Sequence, residues 1–435
     1  MEEFNDDLAK FLREFSDQPE MKQHLSLLLR SHQNFSPPDD LIPMDELDQR
    51  LSAIERILQN QRDARIDSQW CFTRLQFATL ISMPLANLQH PPNIASMWSH
   101  LNLMNELFKH FLQKQKIDGE SRANTGTETA SLQSTVSHSP LKKRKLDDEQ
   151  EQPEVPTTST RDKEIRRNPT ERNKCLNHDN HKCVVTGTAS PHVCHILPFA
   201  LNKRESTRRY TQKFTHTLAT CFGLEDSPSV ASTLGSLSDG LGTSDKVWNM
   251  IALTPTLHTW WGECCFAFKW IGVLPADPVR KGVRDVQLQF RWMPRSQVTN
   301  GAQLIILDEQ KDPSTSMLGD LDHFYGTPKN HCTPDCSCCD ETKSRRINDP
   351  RTGHPIRSGT IITVTRDDTS IDSFKAIVDL QWALVRAAAI SGAALAPELL
   401  SGPDDDNDDW FINPIDLWRE EVFKSSKEDP STADD

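Results

Sequence analysis

The N-terminal part of the chain, up to about residue 116, carries apolar residues at helical spacing. Intervals of three and four residues predict three or four helices, each with one apolar face. The clearest positions are Leu8, Phe11, Leu12 and Phe15, followed by Leu47, Leu51, Ile54, Ile57 and Leu58. Because no cluster of ligand-type side chains lies here, we interpret residues 1–117 as a separate helical region. It would serve packing, self-association or a protein partner.

The hydrophobic period disappears between residues 118 and 160, where Asn, Thr, Ser, Gln, Glu and Pro dominate. We predict a disordered linker there. It contains a compact basic block at residues 140–147, which includes Lys142, Lys143, Arg144 and Lys145. A basic block in exposed chain suits the acidic groove of an import receptor, so we expect a nuclear protein. The alternative is a solvated run of charge.

After residue 161 the pattern changes to short β-type runs and one long amphipathic helix. The predicted strands are 182–186, 192–197, 265–271, 286–292, 303–307 and 360–365, and the predicted helix is 371–390. Residues 161–397 therefore indicate an α+β domain built on an antiparallel sheet. Residues 226–245 are rich in Ser and Gly and are predicted to form a loop. The acidic tail, 398–435, is predicted to be mobile.

Composition narrows the class of protein. A net charge of −13 does not suit a protein that coats DNA by bulk charge, so any contact with nucleic acid must be local. The 11 cysteines follow no regular framework, and the acidic first ten residues hold no apolar signal segment. Both features favour an intracellular, reduced protein. No apolar run reaches the roughly 18 residues that a membrane span needs, so we expect no membrane association.

The segment 183–199 holds the candidate chemistry. Two β-type runs flank a glycine turn, and the predicted hairpin places His195 at the end of its second strand. Downstream, Thr254 is a typical N-cap and Pro255 a typical first helical residue, so His258 is predicted about one turn into a helix. A hairpin with one His followed by a helix with another is the ββα-metal arrangement. In it a neutral imidazole takes a proton from water while a divalent cation polarises the phosphodiester.

These motifs resemble the HNH nucleases, in particular the branch found in many fungal proteins with an HNH nuclease domain. The segments that carry the resemblance are 182–187, 194–199, 249–253, 258–262 and 266–268, and it extends over roughly residues 165–397. The resemblance implies a ββα-metal core embedded in the antiparallel-sheet domain. It also implies that His195 is the general base, that Asn249 orients it, and that His258 is a ligand of one divalent cation, Mg²⁺, Mn²⁺ or Zn²⁺.

Two positions depart from the family pattern. Many HNH enzymes carry an acidic residue or His directly before the base, where this chain has Cys194. Related sequences often carry Asp where this chain has Gly262. A thiolate suits Zn²⁺ better than Mg²⁺, whereas a buried thiol can be a simple core residue. Cys194 and Asp179, the nearby carboxylate that could substitute, are therefore the additional candidate metal ligands.

A basic row follows the core at helical spacing. It consists of Lys203, Arg204, Arg208, Arg209 and Lys213. In an acidic protein such a row can hold nucleic-acid phosphates beside the cleft. An exposed charged helix without a partner is the alternative that this pattern leaves open.

A second cluster of ligand-type residues lies further along the chain. It consists of His331, Cys332, Cys336, Cys338 and Cys339. These are residue types that a structural Zn²⁺ accepts, and His323 or His354 could complete the set. Because paired Cys-x-x-Cys knuckles are missing, a reduced cysteine-rich loop is the alternative.

The sequence thus favours a nuclear, metal-dependent endonuclease that hydrolyses phosphodiester bonds in DNA or RNA, with His195 as base. The alternative is a catalytically degenerate HNH scaffold that binds nucleic acid or protein. The two differ in geometry, because only the enzyme requires the imidazoles of His195 and His258 to face one cleft.

Overall fold

A computed structural model describes residues 34–64, 69–91, 94–112, 165–222, 228–294, 301–312, 316–317 and 347–395, with scattered positions between 6 and 25. Three sequence predictions lie outside these residues. They are the linker with its basic block Lys142, Lys143, Arg144 and Lys145, the cluster from His331 to Cys339, and the acidic tail.

Helices and short antiparallel strands alternate along the described chain. The helices are α1 (Leu47–Ala64), α2 (Arg74–Ser82), α3 (Leu85–Gln89), α4 (Ile94–Asn102), α5 (Met104–Phe111), α6 (Pro169–His178), α7 (Glu205–Phe222), α8 (Pro228–Asp239), α9 (Pro255–Gly262) and α10 (Ile371–Ser391). The strands are β1 (His192–His195), β2 (Met250–Leu253), β3 (Phe266–Val273), β4 (Val283–Trp292) and β5 (Ile361–Asp367). Within this part of the chain no helix is long and apolar enough to cross a membrane.

The described strands form two antiparallel sheets. β4 lies between β3 and β5 in one sheet, and β1 pairs with β2 in the other. The mixture of helices with antiparallel strands confirms the predicted combination of helix and antiparallel sheet. Strands β3, β4 and β5 and helix α10 lie where the period of the sequence predicts them, because each is a continuous local pattern that one face of the core buries.

The N-terminal helices share one core with the rest of the described chain. The sequence predicted a separate helical region, but α2 packs against α10 and α4 packs against α7. The Arg74 side chain donates from Nε to the Ser391 carbonyl oxygen at 3.2 Å, at the end of α10. Every residue of α2 is buried. The helical period correctly identified an apolar face, but only the tertiary structure shows that helices α7 and α10 of the same chain bury it.

The predicted hairpin at 182–197 is wrong. Residues 182–186 lie in turns, with an isolated bridge between Lys182 and Ala189. β1 instead pairs with β2, so that His192 lies opposite Leu253 and His195 opposite Met250. The sequence concealed this pairing because the two strands are far apart along the chain and each has only four residues.

Two further local predictions need correction. The Ser- and Gly-rich segment predicted as a loop contains α8, whose Val230, Leu234 and Leu237 are buried at helical spacing. Residues 303–307 were predicted as a strand but contribute an isolated bridge between Leu304 and Thr73. The Ser and Gly content of 226–245 conceals the helical period of α8, and the apolar run at 303–307 is too short to identify a strand.

The side chain of Arg366 on β5 holds the two sheets together. It is fully buried, donates from Nη1 to Asp179 Oδ1 at 2.7 Å, and donates from Nη2 to the Met250 carbonyl at 3.0 Å. Asp179 Oδ2 accepts a hydrogen bond from the Ala252 backbone N–H at 2.9 Å. A buried charge pair holds its position well when further hydrogen bonds support it, and here both Nη atoms of Arg366 and both carboxylate oxygens of Asp179 take part in such bonds. This pair therefore fixes β2, and with it β1, relative to the larger sheet.

Candidate active site

The imidazole of His195 is held by a carboxylate that the sequence did not reveal. His195 ends β1, and its Nε2 lies 2.9 Å from Asp245 Oδ1, with only 7% and 3% of the two side chains exposed. Asp245 Oδ2 accepts a hydrogen bond from the Asn168 backbone N–H, which fixes the carboxylate. The ring of His195 also stacks on Phe199, with centroids 5.7 Å apart. These contacts leave the imidazole little rotational freedom.

The amide of Asn249 organises the backbone on both sides of this pair. Its Oδ1 accepts from the Leu197 N–H at 2.8 Å, and its Nδ2 donates to the carbonyl oxygens of Leu197 at 2.8 Å and Ser244 at 3.0 Å. Leu197 follows His195 by two residues, and Ser244 directly precedes Asp245. Asn249 is fully buried, so these bonds compete with little water. Its geometry would orient the base indirectly, through the backbones that carry His195 and Asp245.

His258 occupies the first turns of α9. Thr254 caps this helix by accepting a hydrogen bond from the Leu257 N–H, and Pro255 begins it, in the roles that the sequence predicted. Burial lowers the pKa of His258 to about 3, with smaller contributions from the positive charges of His192, Arg167 and His195. The imidazole is therefore neutral at neutral pH, which is the form that can bind a metal ion.

His195 and His258 line the same cavity. Its other lining residues include Phe199, Trp261, Gly262 and Gln381. The cavity joins the end of β1 to one face of α9, because β1, β2 and α9 pack against one another. This shared cavity is the geometry that an enzyme with one base and one metal ligand would require.

A third histidine, His192, completes the group. Its Nδ1 lies 3.4 Å from His258 Nδ1, and the two rings meet edge to face with centroids 5.6 Å apart. His192 begins β1 opposite Leu253, which places it beside the start of α9. His192 was not among the candidate ligands predicted from the sequence, although it lies only three residues before His195.

The other two candidate ligands, Cys194 and Asp179, are buried in the interior. Cys194 is part of the hydrophobic core, and burial raises the pKa of its thiol well above the usual range, so the thiol stays protonated. Asp179 is fully buried in its ion pair with Arg366. Among the residues that the structure describes, no three His, Cys, Asp or Glu side chains converge as a metal-binding group. A metal ion at this cleft would therefore have at most two protein ligands from the described chain.

The predicted basic row is largely occupied by intramolecular partners. Arg208 and Arg209 both bind Glu205, at 2.6 and 3.0 Å, and Lys213 lies 3.6 Å from Glu106. Lys203 is buried, while Arg204 lies at the exposed start of α7. Paired charges present a weaker field to a phosphate than free ones would. The row at Lys203, Arg204, Arg208, Arg209 and Lys213 stays a prediction with reduced support.

A different arginine lies at the cleft. The Arg167 guanidinium lies 5.8 Å from the centroid of the Phe199 ring. The Phe199 ring also stacks on the imidazole of His195. The charge of Arg167 also contributes to the lowered pKa of His258. A cation therefore stands within electrostatic reach of His258. Sequence reasoning missed Arg167 because it lies outside the recognisable motifs.

Comparison with known proteins gives one match. Residues 183–269 match a family model described as HNH endonuclease. This range begins at Cys183 and includes His192, His195, Asp245, Asn249 and His258. No curated protein and no solved structure matches the chain. The match supports an HNH nuclease domain in this part of the protein, with a nuclease-type function, and HNH endonucleases generally use a divalent metal ion.

Proposed function

We propose that this protein is an endonuclease that hydrolyses phosphodiester bonds in nucleic acid, with His195 as general base. The observation that carries the proposal is the buried pair between His195 Nε2 and Asp245 Oδ1, placed at the cavity that His258 shares. In this proposal, β1, β2 and α9 form the ββα core of the nuclease domain. The family match at residues 183–269 supports the same reaction class.

The hydrogen bond to Asp245 selects one tautomer of His195. When Nε2–H donates to the carboxylate, Nδ1 is the unprotonated nitrogen of the neutral ring and therefore the proton acceptor. A water molecule activated at Nδ1 can attack a phosphodiester, and the carboxylate then stabilises the imidazolium that forms. Because Asp245 is fixed by Asn168, the base is oriented before substrate arrives.

The scissile phosphate needs a positive partner at the same cleft. Arg167 fits this role better than the row on α7, because its guanidinium lies over the ring of Phe199, which itself lines the cavity. His258 would bind a divalent ion, which when present polarises the phosphoryl oxygen and stabilises the departing 3′-oxygen. We propose DNA as the substrate, with RNA as the alternative.

Nicking of supercoiled plasmid by the purified full-length chain tests this function. We expect cleavage with at least one of Mg²⁺, Mn²⁺ or Zn²⁺, and a rate lower by roughly 10²–10⁴ in His195→Ala, because removal of a general base costs about that much. His216→Ala, which changes an exposed histidine on α7, is the matched control and should cleave normally. Circular dichroism of each variant establishes that it is folded.

Two results would remove the proposal. One is equal cleavage by the unsubstituted chain and by His195→Ala, and the other is no cleavage of DNA or RNA with any of the three metals. The second result, together with retained binding of nucleic acid, would support a catalytically degenerate scaffold. The missing third metal ligand among the described residues is the observation that favours this alternative.

A further inference from the structure

His192 and His258 face each other from two different elements of the fold. His192 begins β1, and its register opposite Leu253 brings it next to α9, where His258 lies. The two Nδ1 atoms are 3.4 Å apart, and the ring planes are inclined by 87°. Both imidazoles are partly buried, and burial lowers the pKa of each below its ordinary value.

This separation is that of a hydrogen bond between the two rings, and it is also close to the spacing of two ligands on one metal ion. Two imidazole nitrogens bound to a tetrahedral zinc ion at about 2.0–2.1 Å lie about 3.3–3.4 Å apart. Neutral imidazole suits Zn²⁺ and similar transition metals better than it suits Mg²⁺, which prefers oxygen ligands. The geometry therefore fits a zinc-like ion more closely than a magnesium ion.

We propose that His192 and His258 are the two protein ligands of a divalent transition-metal ion at this cleft. The role of that ion rests on the proposed function. His192 takes the place as ligand that the sequence resemblance suggested for Cys194 or Asp179. Those two side chains are committed elsewhere, one to the hydrophobic core and one to the ion pair with Arg366.

The charges around the pair favour an anionic third partner. Two neutral imidazoles leave the full double charge of the ion uncompensated by protein, and Arg167 adds a further positive charge nearby. No third ligand-type side chain among the described residues joins the pair. A phosphate oxygen and water would therefore complete the coordination, and a phosphate between the ion and Arg167 would balance both charges.

Metal titration of the full-length chain tests this site without reference to activity. Chelator-treated protein is titrated with Zn²⁺ by calorimetry and with Co²⁺ by absorption spectroscopy, for the unsubstituted chain, His192→Ala and His258→Ala. We expect each variant to lose one equivalent of bound metal, or to bind it at least tenfold more weakly. His181→Ala changes an exposed histidine of the turn after α6 and should bind as the unsubstituted chain does. Metal bound elsewhere in the chain cancels in this comparison.

A second measurement avoids the risk that a variant fails to fold. Diethyl pyrocarbonate labels histidines, and mass spectrometry of the unsubstituted chain locates the labelled residues. Zn²⁺ is expected to protect His192 and His258 while His181 stays reactive. Equal metal binding by the unsubstituted chain and both folded variants, or equal labelling with and without Zn²⁺, would mean that the pair is only a contact between two imidazoles.

The outcomes for the metal site and for the nuclease are separable. Loss of metal in both variants without any nicking by the unsubstituted chain would keep the metal site and remove the nuclease. Nicking that depends on His195 but is unchanged in His192→Ala would keep the nuclease and overturn the role of His192.

Discussion

Two groups of histidines with little exposure to solvent can be compared within this one chain. Around β1 and α9, His195 meets the Asp245 carboxylate and His192 meets His258. Between the N-terminal helices and α7, His100 Nδ1 lies 2.9 Å from Thr217 Oγ1, and His110 Nε2 lies 2.7 Å from Thr211 Oγ1. His100 and His110 are buried and His192, His195 and His258 are partly buried, but the larger difference lies in the chemistry of their partners.

This difference shows that a lowered pKa does not by itself mark a functional site. Burial alone lowers the pKa of His110 to about 4, whereas at His258 burial is joined by the charges of neighbouring side chains. The Thr211 hydroxyl donates its hydrogen bond to the Leu201 carbonyl oxygen, so its oxygen accepts from His110 Nε2–H and fixes one neutral tautomer. His100 and His110, which pack against α7, are therefore expected to support the fold. His195, His192 and His258 are expected to support chemistry.

The largest expected effect concerns stability and acid. His110 has a folded-state pKa of about 4, below its ordinary value of 6.5, so the unfolded chain binds the proton at higher pH than the folded chain does. The contribution of neutral His110 to the unfolding free energy is therefore complete above about pH 7.5. It falls as the pH decreases from 6.5 to 4 and levels off below 4. The loss from this residue is about 3 kcal/mol. Urea unfolding of the full chain between pH 7.5 and 4.5 measures it.

His110→Gln keeps a hydrogen-bond donor near Thr211 but cannot titrate. We expect a flatter dependence of the unfolding free energy on pH in this variant than in the unsubstituted chain. His90→Gln, which changes an exposed histidine after α3, should leave the dependence unchanged. Parallel curves for His110→Gln and the unsubstituted chain would contradict the assignment.

The next effect comes from altering one hydrogen-bond partner in each histidine group. Asp245→Asn removes the charge that holds His195, and a partner of this kind is worth about 10–100-fold in activity. We expect kcat for nicking to fall by that factor with KM nearly constant, because Asp245 contacts the base and not the substrate. Thr211→Val leaves His110 with an unsatisfied buried nitrogen at a cost of about 1–3 kcal/mol, and should lower Tm without changing kcat.

The comparison fails if the two variants behave alike. A fall in Tm with unchanged kcat for Asp245→Asn would place Asp245 among the structural residues. A loss of kcat in Thr211→Val at a temperature where it is folded would give the histidines at α7 a part in catalysis.

The smallest expected effect concerns Arg167. Arg167→Ala should weaken binding of duplex DNA about tenfold and lower the slope of the affinity against salt by about one ion, as removal of one phosphate contact does. Arg166→Ala changes the exposed neighbour and is the matched control. Fluorescence anisotropy at several salt concentrations measures both. Equal losses in the two variants would mean that general charge, and not the position of Arg167 over Phe199, governs binding.

Local patterns predicted the parts of the fold that depend on neighbours in sequence. The cap at Thr254 and the first turn at Pro255 fixed the start of α9, and with it the place of His258. The apolar positions of α10, β4 and β5 likewise predicted these elements close to their observed bounds. Strand β1 also ends at His195 as expected.

Contacts between distant segments escaped the sequence. The partner of His195 lies 50 residues further along the chain, and nothing local distinguishes Asp245 from the other acidic residues around it. The same limit hid the pairing of β1 with β2 and the packing of α2 against α10. Each depends on which surfaces remain to be covered once all elements have formed, and a periodic pattern contains no information about that.

The sequence by itself determined the segment that matches the HNH endonuclease family, the candidate residues His195 and His258 within it, and the mixture of helices with antiparallel strands. The tertiary structure decided which groups lie near them: Asp245 beside His195, His192 beside His258, and Arg167 over the ring of Phe199. It also withdrew Cys194 and Asp179 into the interior. The physical reason is that residue type sets which bonds a side chain can make, whereas burial and distance decide which of those bonds it does make.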